Sequence, residues 1–224
     1  MATLVDSLVA RRDTQGVLFP PLNFAMVVPG VYRSGHPNKG NFPFLDTLTL
    51  KSIMCVRGEL AGDQDDEVDE RVWVRRYLST DNYRHDTYTW ARRKGLKIVH
   101  LRLDISKDPA VEVDPEMIKK AIEVVLDSRN LPILIHDNKG RIVPSIISAI
   151  LRLMCDWSLD AALAEYRKFF PSTEDWVHDD PAEIERGAKK KKDKERIADL
   201  RLIERFDLRS IEYDPDYAPS WLER

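Results

Sequence analysis

The sequence has few cysteines, no long apolar run and little net charge, and each shortage excludes a class of protein. No apolar stretch approaches the roughly 20 residues that span a bilayer, and no long apolar segment follows a basic start at the N-terminus. We therefore expect a cytoplasmic protein that does not bind a membrane. The formal net charge of -3 gives no overall attraction to nucleic acid, so any anion-binding site must be local.

Cysteine is scarce, since Cys55 and Cys155 are the only two and lie far apart in apolar segments. This pattern is typical of buried, reduced thiols, so we expect no disulfide, no metal site and no cofactor. What the sequence does contain is 43% hydrophobic residues over 224 positions, which is enough for the core of one ordinary domain.

Apolar strands alternate with amphipathic helices along most of the chain. Strands are predicted at GVYRSG, SIMCV, LKIVHLRL and PILIH. Helices are predicted after the caps Asn41, Asp114 and Ser158, and a helical turn or two should end at Gly95. Short connections between such elements favour an α/β fold with a central, mostly parallel sheet and helices on both faces.

Charged segments interrupt this pattern in two places. Residues from about 59 to 85 offer little to bury, and ELAGDQDDEVDE within them contains seven acidic residues, so we predict a solvated insertion. Later, KKKKDKER is expected on a solvated helical face, with a nuclear import signal or an anion-binding patch as the alternative. Trp157 is predicted to be core, whereas Trp176 and Trp221 are candidate anchors for a partner.

The stretch PILIHDNKGRIVPS connects the last predicted strand to a helix through a glycine-containing loop. Ligands of parallel sheets bind at the carboxyl ends of the strands, where this loop falls. Loop amides and the N-terminus of a helix converge there and form an anion cradle, although many such loops bind nothing. The loop residues are Asp137, Asn138, Lys139, Gly140, Arg141, Ile142 and Val143.

Four segments within residues 19–207 carry a family resemblance. They are PPLNFAMVVPGVYRSGHPNKGNFPFLDTLTLKSI, VLDSRNLPILIH, LRLMCDWSLDAALAEYRKF and DLRLIERFD. In these segments the chain resembles the plant and fungal atypical dual-specificity phosphatases, tyrosine phosphatase-like proteins whose active members are similar to inositol pyrophosphate phosphatases. The resemblance implies a three-layer cysteine-phosphatase-type domain over residues 19–208, with a polar leader at 1–18 and a C-terminal tail at 209–224.

Active members of that family carry a loop that reads His-Cys, five residues, Arg, then Ser or Thr. On this chain His136 and Gly140 match, while Asp137, Val143 and Pro144 take the cysteine, arginine and hydroxyl positions. The family's thiolate attacks phosphorus and its arginine holds phosphate oxygens in the transition state. Asp137 forms no phosphocysteine and Val143 has no donor, so no catalytic residue is expected.

Asp137 admits three interpretations. Its carboxylate is able to accept the loop amides itself, which would keep the loop in shape without a ligand and make it bind phosphate poorly. We name this hypothesis the plugged cradle. The plainer interpretation is an exposed turn or N-cap carboxylate, and the least favoured is a nucleophile, because the loop lacks the arginine and a magnesium site.

Other side chains near the loop have less distinctive patterns. Lys107, Lys139 and Arg141 are possible anion contacts or ordinary solvated charges. Asp108, in SKDPAVEV, matches the loop that carries the general acid in active relatives, but without a nucleophile it has no leaving group to protonate, so a surface turn is expected.

Three further residues lie close to the predicted site or in a segment that matches the family. His136 ends a strand and is expected to be a hydrogen-bonded core histidine. Arg33 and Lys39 belong to the most specific of the matching segments and either border the site or, in the favoured interpretation, lie on the solvated surface.

Together these patterns predict a catalytically inactive phosphatase-like protein that acts by binding. The resemblance implies a hetero-oligomer with related phosphatase-like proteins, for which the acidic insertion and the tail are natural contact regions. One alternative is an active phosphatase on inositol pyrophosphates or phosphotyrosine. Another is a sensor that binds phosphate or an inositol polyphosphate without turnover.

Overall fold

The computed structural model describes residues 16–56, 82–103, 105–106, 108, 110–169 and 196–222. The strands are β1 Ala25–Val28, β2 Val31–Gly35, β3 Ser52–Val56, β4 Lys97–Leu101 and β5 Ile133–Asp137. The α-helices are α1 Phe42–Asp46, α2 Asn82–Arg93, α3 Pro115–Val125, α4 Val143–Met154, α5 Leu159–Arg167 and α6 Ile197–Arg205. Short 3-10 helices lie at Lys39–Asn41, Ser128–Asn130, Leu208–Ser210 and Pro215–Tyr217.

The five strands form one sheet in the order β1-β2-β5-β3-β4. Four of them run parallel, and the edge strand β1 is antiparallel to β2. In this register Gly35 lies beside Asp137, and Cys55 lies beside His136. The parallel strands therefore end at the same edge, which places the loop after β5 between the ends of its neighbours.

Helices cover both faces of the sheet, which confirms the predicted three-layer α/β fold. Every residue of β3 and β5 is buried, as their continuous apolar runs predict. Ile133 and Ile135 pack on the side of α3, α4, α5 and α6, whereas Leu134 points to α1 and α2. Each such fully buried aliphatic side chain contributes about 1.5–3 kcal/mol, so the two cores hold the strand ends in place.

Two of the three predicted helix caps are confirmed. Asp114 accepts the Glu116 amide at the start of α3, and Ser158 accepts an amide three residues on at the start of α5. The prediction for Asn41 was wrong, because its side chain does not cap α1; its Nδ2 donates to carbonyls of the N-terminal segment and its Oδ1 accepts the Asn38 amide. Asn38 caps the preceding 3-10 turn.

Several local predictions require correction. The sequence pattern did not predict β1, and α2 begins at Asn82, within the span assigned to the acidic insertion. Trp157 is 43% exposed rather than core, and the Arg152 guanidinium lies 4.1 Å from the centre of its ring. Cys155 is only half-buried, while Cys55 is buried, and neither of these two described residues forms a disulfide.

Some predictions fall on residues outside the described part of the chain. They concern the acidic run, Lys107, Trp176 and the lysine-rich run. Trp221 is described and packs against the larger core. Within the described ranges, no helix is long and apolar enough to cross a membrane.

Candidate functional site

The loop between β5 and α4 is held from outside by the segment that surrounds β2. Each carbonyl of residues 138–140 accepts a hydrogen bond from that segment. The pairs are Asn23 Nδ2 to Lys139 O at 2.7 Å, His36 N to Asn138 O at 3.2 Å, and Arg33 Nη2 to Gly140 O. Because the carbonyls are bound on this side, the amides of the same peptides turn toward the other side.

Two of those amides converge on the side chain of Asp137. Its Oδ1 accepts the Lys139 amide at 2.9 Å and also the Gly140 amide. Asp137 is 6% exposed, so the interpretation as an exposed turn carboxylate was wrong. The arrangement matches the geometry of the plugged cradle, in which the donors that would bind an anion already have an acceptor.

Gly140 allows the loop to lie directly on the backbone of β2. Its φ of +71° is in the left-handed region, and a Cβ at this position would come within 3.0 Å of backbone atoms of Ser34 and Gly35. A Cβ on Gly35 would in turn lie 3.0 Å from the Lys139 carbonyl carbon. The cradle therefore depends on a close backbone contact that two glycines make possible.

Opposing effects act on the ionisation of Asp137. Burial raises the pKa of its carboxyl, while hydrogen bonds from the amides of Gly140, Lys139 and Ile142 and the charge of Arg33 lower it, and the net direction is upward. Oδ1 is an acceptor in either protonation state. The loop amides therefore keep their acceptor on both sides of the titration.

Arg33 is fully buried, so the favoured prediction of a solvated surface position was wrong. Besides Gly140 it donates to Ser145 Oγ at 2.8 Å, and its guanidinium carbon lies 3.7 Å from the centre of the Phe169 ring. Burial lowers the pKa of Arg33 to about 10. One feature could have indicated that Arg33 is buried near the loop. It is a charged residue inside a strand, two positions before the carboxyl end of that strand and on the same face of the sheet as Asp137.

The residue at the family's arginine position points inward. Val143 is the first residue of α4 and is fully buried, so nothing at this position reaches toward a ligand with a charge. Pro144 follows it in the first turn. Lys139 is exposed and Arg141 half-buried, while Lys39 forms an ion pair with Asp86 at 3.0 Å.

The segment matched to the general-acid loop is held by a residue that the sequence analysis missed. Arg196 Nη1 donates to Ser106 O at 2.7 Å and Nη2 to Val111 O at 2.6 Å. Its Nε donates to Asp199 at 2.8 Å, and both side chains are buried. Asp108 is exposed, and its Oδ1 accepts the Ala110 amide at 2.9 Å within a turn.

Behind the loop, His136 and His36 bring two imidazole rings together. His136 is 3% exposed, and the ring centres are 4.9 Å apart in an edge-to-face arrangement. His36 Nε2 lies 3.1 Å from Thr87 Oγ1, which fixes the ring against α2. Within the ranges that the structure covers, no group of three or more His, Cys, Asp or Glu side chains is placed to hold a metal ion.

Comparison with known proteins identifies the family to which this chain belongs. A model of the tyrosine phosphatase family matches residues 18–69 and 71–195. The chain belongs to the tyrosine phosphatase family. Inositol diphosphatase DSP1 of Oryza sativa subsp. japonica is 31% identical over 201 residues, which cover 90% of this chain and 71% of the relative. Inositol diphosphatase DSP4 of Arabidopsis thaliana is 29% identical over 210 residues, covering 94% and 84%.

A solved structure gives the same result for the fold. The core catalytic domain of the PP-IP phosphatase SIW14 from S. cerevisiae, in complex with citrate, matches with a TM-score of 0.59 at 26% identity. The match covers 85% of this chain and 89% of that domain. This member of the tyrosine phosphatase family is thus similar to inositol diphosphatases over most of its length, while its cradle holds an aspartate.

Proposed function

We propose that this tyrosine phosphatase family member is catalytically inactive and acts by binding. The observation that carries the proposal is the carboxylate of Asp137, which occupies the amides that a phosphate oxygen would need. A thiolate nucleophile is missing at residue 137, and Val143 adds no positive charge to stabilise a transition state. Loss of even one preorganised donor typically costs about a hundredfold or more in rate.

The binding role that we propose is that of a subunit in a complex with related phosphatase-like proteins. Support comes from the family resemblance and from a fold that retains its framework around a filled cradle. Co-purification of the full chain from its native cell, followed by mass identification of the associated chains, tests this role. Recovery of the chain only as a monomer, by light scattering of the native extract fraction, argues against it.

The second candidate is an active phosphatase on inositol pyrophosphates, which the names of the relatives favour. Under this candidate Asp137 would have to leave the amides and act on phosphorus, or a related subunit would supply the active site. The two candidates differ in what the isolated chain does to a substrate. They also differ in phosphate affinity, because a filled cradle binds phosphate poorly.

The deciding assay measures phosphate release by the purified chain from an inositol pyrophosphate and from para-nitrophenyl phosphate. We expect no turnover above buffer for the wild type, and measurable turnover for Asp137→Cys combined with Val143→Arg. Turnover by the wild type that is abolished in Asp137→Ala would overturn the proposal. Tight binding of inorganic phosphate that depends on Asp137 would also contradict the plugged cradle.

The design must allow for the burial of Val143. An arginine at a fully buried helix position risks unfolding α4, so each variant is first checked by thermal unfolding. Asp137→Cys alone is the companion variant, because it changes the floor of the cradle and leaves α4 intact. A folded double variant with no activity would leave the wild-type result as the deciding one.

A further inference from the structure

Arg33 is a buried cation without a direct ionic partner among the described residues. Its Nε and Nη1 make no hydrogen bond within the described part of the chain. The charged groups that face it are Asp137 on β5 and Glu165 on α5, and both act through space to favour its charged form. Neither forms a salt bridge with it in the described structure.

A buried guanidinium is destabilising unless nearby groups compensate for its lost hydration. Here the compensation comes from two sides. The Phe169 ring and Ser145 Oγ belong to the helical layer, whereas the Gly140 carbonyl and the charge of Asp137 belong to the loop. Part of what stabilises Arg33 is therefore the cradle itself, and the interaction is reciprocal.

We propose that Arg33 is the positioning residue of the cradle: it anchors Gly140, whose amide donates to residue 137, and supplies the positive charge that stabilises whichever anion stands there. The proposal goes beyond the proposed function, because it concerns an aspartate and an introduced thiolate alike. It distinguishes the charge of Arg33, which lies beneath the loop, from the charge of the family's arginine, whose position at the start of α4 is taken by Val143.

Arg33 acts through the backbone rather than on a ligand. Its Nη2 holds the carbonyl of Gly140, while the amide of the same residue, which belongs to the preceding peptide unit, donates to Asp137. The carbonyl of that preceding unit, at Lys139, is held by Asn23 Nδ2. Arg33 therefore fixes Gly140 on its carbonyl side and restricts the placement of its amide, and its charge adds a long-range attraction for an anion at the floor.

The experiment uses a thiol as a reporter at the floor of the cradle. Asp137→Cys is prepared in the full chain, and its rate of alkylation by iodoacetamide is followed from pH 5 to pH 10. The wild type, which carries only Cys55 and Cys155, provides the background. The reporter variant is then combined with Arg33→Met, with Arg33→Lys, and with Arg129→Gln as a matched control at an exposed arginine.

We expect the introduced thiol to titrate at a lower pH with Arg33 present than with Arg33 replaced. Arg33→Met should raise the alkylation midpoint by at least about one pH unit, Arg33→Lys should raise it less, and Arg129→Gln should leave it unchanged. An equal midpoint in folded Arg33→Met would overturn the proposal. If Arg33→Met does not fold, an equal midpoint in Arg33→Lys would overturn it, because lysine lacks the fork that holds Gly140.

This assay does not measure phosphate release, so the two proposals fail separately. Turnover by the wild type would remove the inactive function and leave the alkylation result as it stands. An alkylation midpoint that is the same with and without Arg33 would contradict the positioning role and leave the proposed inactive function in place.

Discussion

Two buried arginines hold the two loops at the carboxyl edge of the sheet, and they do so in different ways. Arg196 is paired directly with Asp199 and donates to the carbonyls of the segment that contains Asp108. Among the described residues Arg33 contacts no carboxylate directly, and it donates to one loop carbonyl and one hydroxyl. The first loop is therefore fixed by a local ion pair, and the second by a charge balance that includes the site itself.

This difference predicts which substitutions and conditions should disturb each loop. The segment of Asp108 depends on a structural pair that lies apart from the cradle and should respond to substitutions there with a loss of overall stability. The loop of Asp137 depends on backbone contact and on the anion at its floor, so it should respond to changes in shape and in pH.

The largest effect is expected for Arg196→Met. This substitution leaves Asp199 buried without its cation, a situation that typically costs about 3–5 kcal/mol. Urea unfolding measures the loss. Combining it with Asp199→Leu should restore much of the stability, since an apolar pair replaces an ionic one, and the exposed pair of Arg205 and Glu112 provides a surface control through Arg205→Met. Equal stability of Arg196→Met and wild type would show that the ion pair does not fix this loop.

Gly140→Ala should have the next largest effect. The left-handed φ alone costs about 1–2 kcal/mol, and collision of the new methyl group with the β2 backbone adds about 1–3 kcal/mol. Gly95→Ala is the matched control, because its φ is also +71° but nothing lies within 4 Å of the new atom. The difference between the two variants in urea unfolding isolates the collision, and equal losses would mean that the loop does not rest on β2 as described.

The third prediction compares Asp137→Asn with the wild type as pH changes. Burial raises the pKa of Asp137, so in the window above about 3.9 the folded protein holds a proton that the unfolded chain has released. Stability from this group therefore falls as pH rises through the window, and asparagine removes that dependence. Burial also raises the pKa of Asp199, but this effect is common to both proteins.

Urea unfolding between pH 3.5 and 7 tests this prediction for Asp137. The difference in unfolding free energy between the wild type and Asp137→Asn is plotted against pH. We expect the advantage of the wild type over Asp137→Asn to shrink as pH rises. A constant difference would show that the ionisation of Asp137 is the same in the folded and unfolded chains.

The smallest effect is expected for Asp108→Ala. This exposed side chain makes one turn hydrogen bond, whose loss costs about 0.5–1 kcal/mol, and Arg196 continues to hold the neighbouring carbonyls. Thermal unfolding should therefore shift only slightly. A loss comparable with that of Arg196→Met would assign the control of this segment to its own turn.

The elements with a clear local pattern could be predicted from the sequence. β3 and β5 are continuous apolar runs, and Asp114 and Ser158 precede amphipathic helices with the side chains that cap them. The cradle was also predictable, because a strand, a glycine-containing loop and a helix have only a few ways to connect. Asp137 followed from the same reasoning, although its burial did not.

What the sequence does not encode locally could not be predicted in this way. β1 is a four-residue edge strand after several prolines, and only its pairing with β2 identifies it. Arg33 looks like a surface charge until the loop of residues 138–140 folds onto β2. Arg196 is separated by about 90 positions from Ser106, whose carbonyl it binds, so no spacing rule connects them.

The contact between Gly35 and Gly140 distinguishes the backbone of the cradle from the side chain at its floor. Main-chain atoms of β2 and of the loop lie directly against each other here, and groups from the segment around β2 hold the loop carbonyls. These contacts are made by groups other than the side chain of residue 137. The fold of the tyrosine phosphatase family is therefore retained here around an aspartate that fills the cradle.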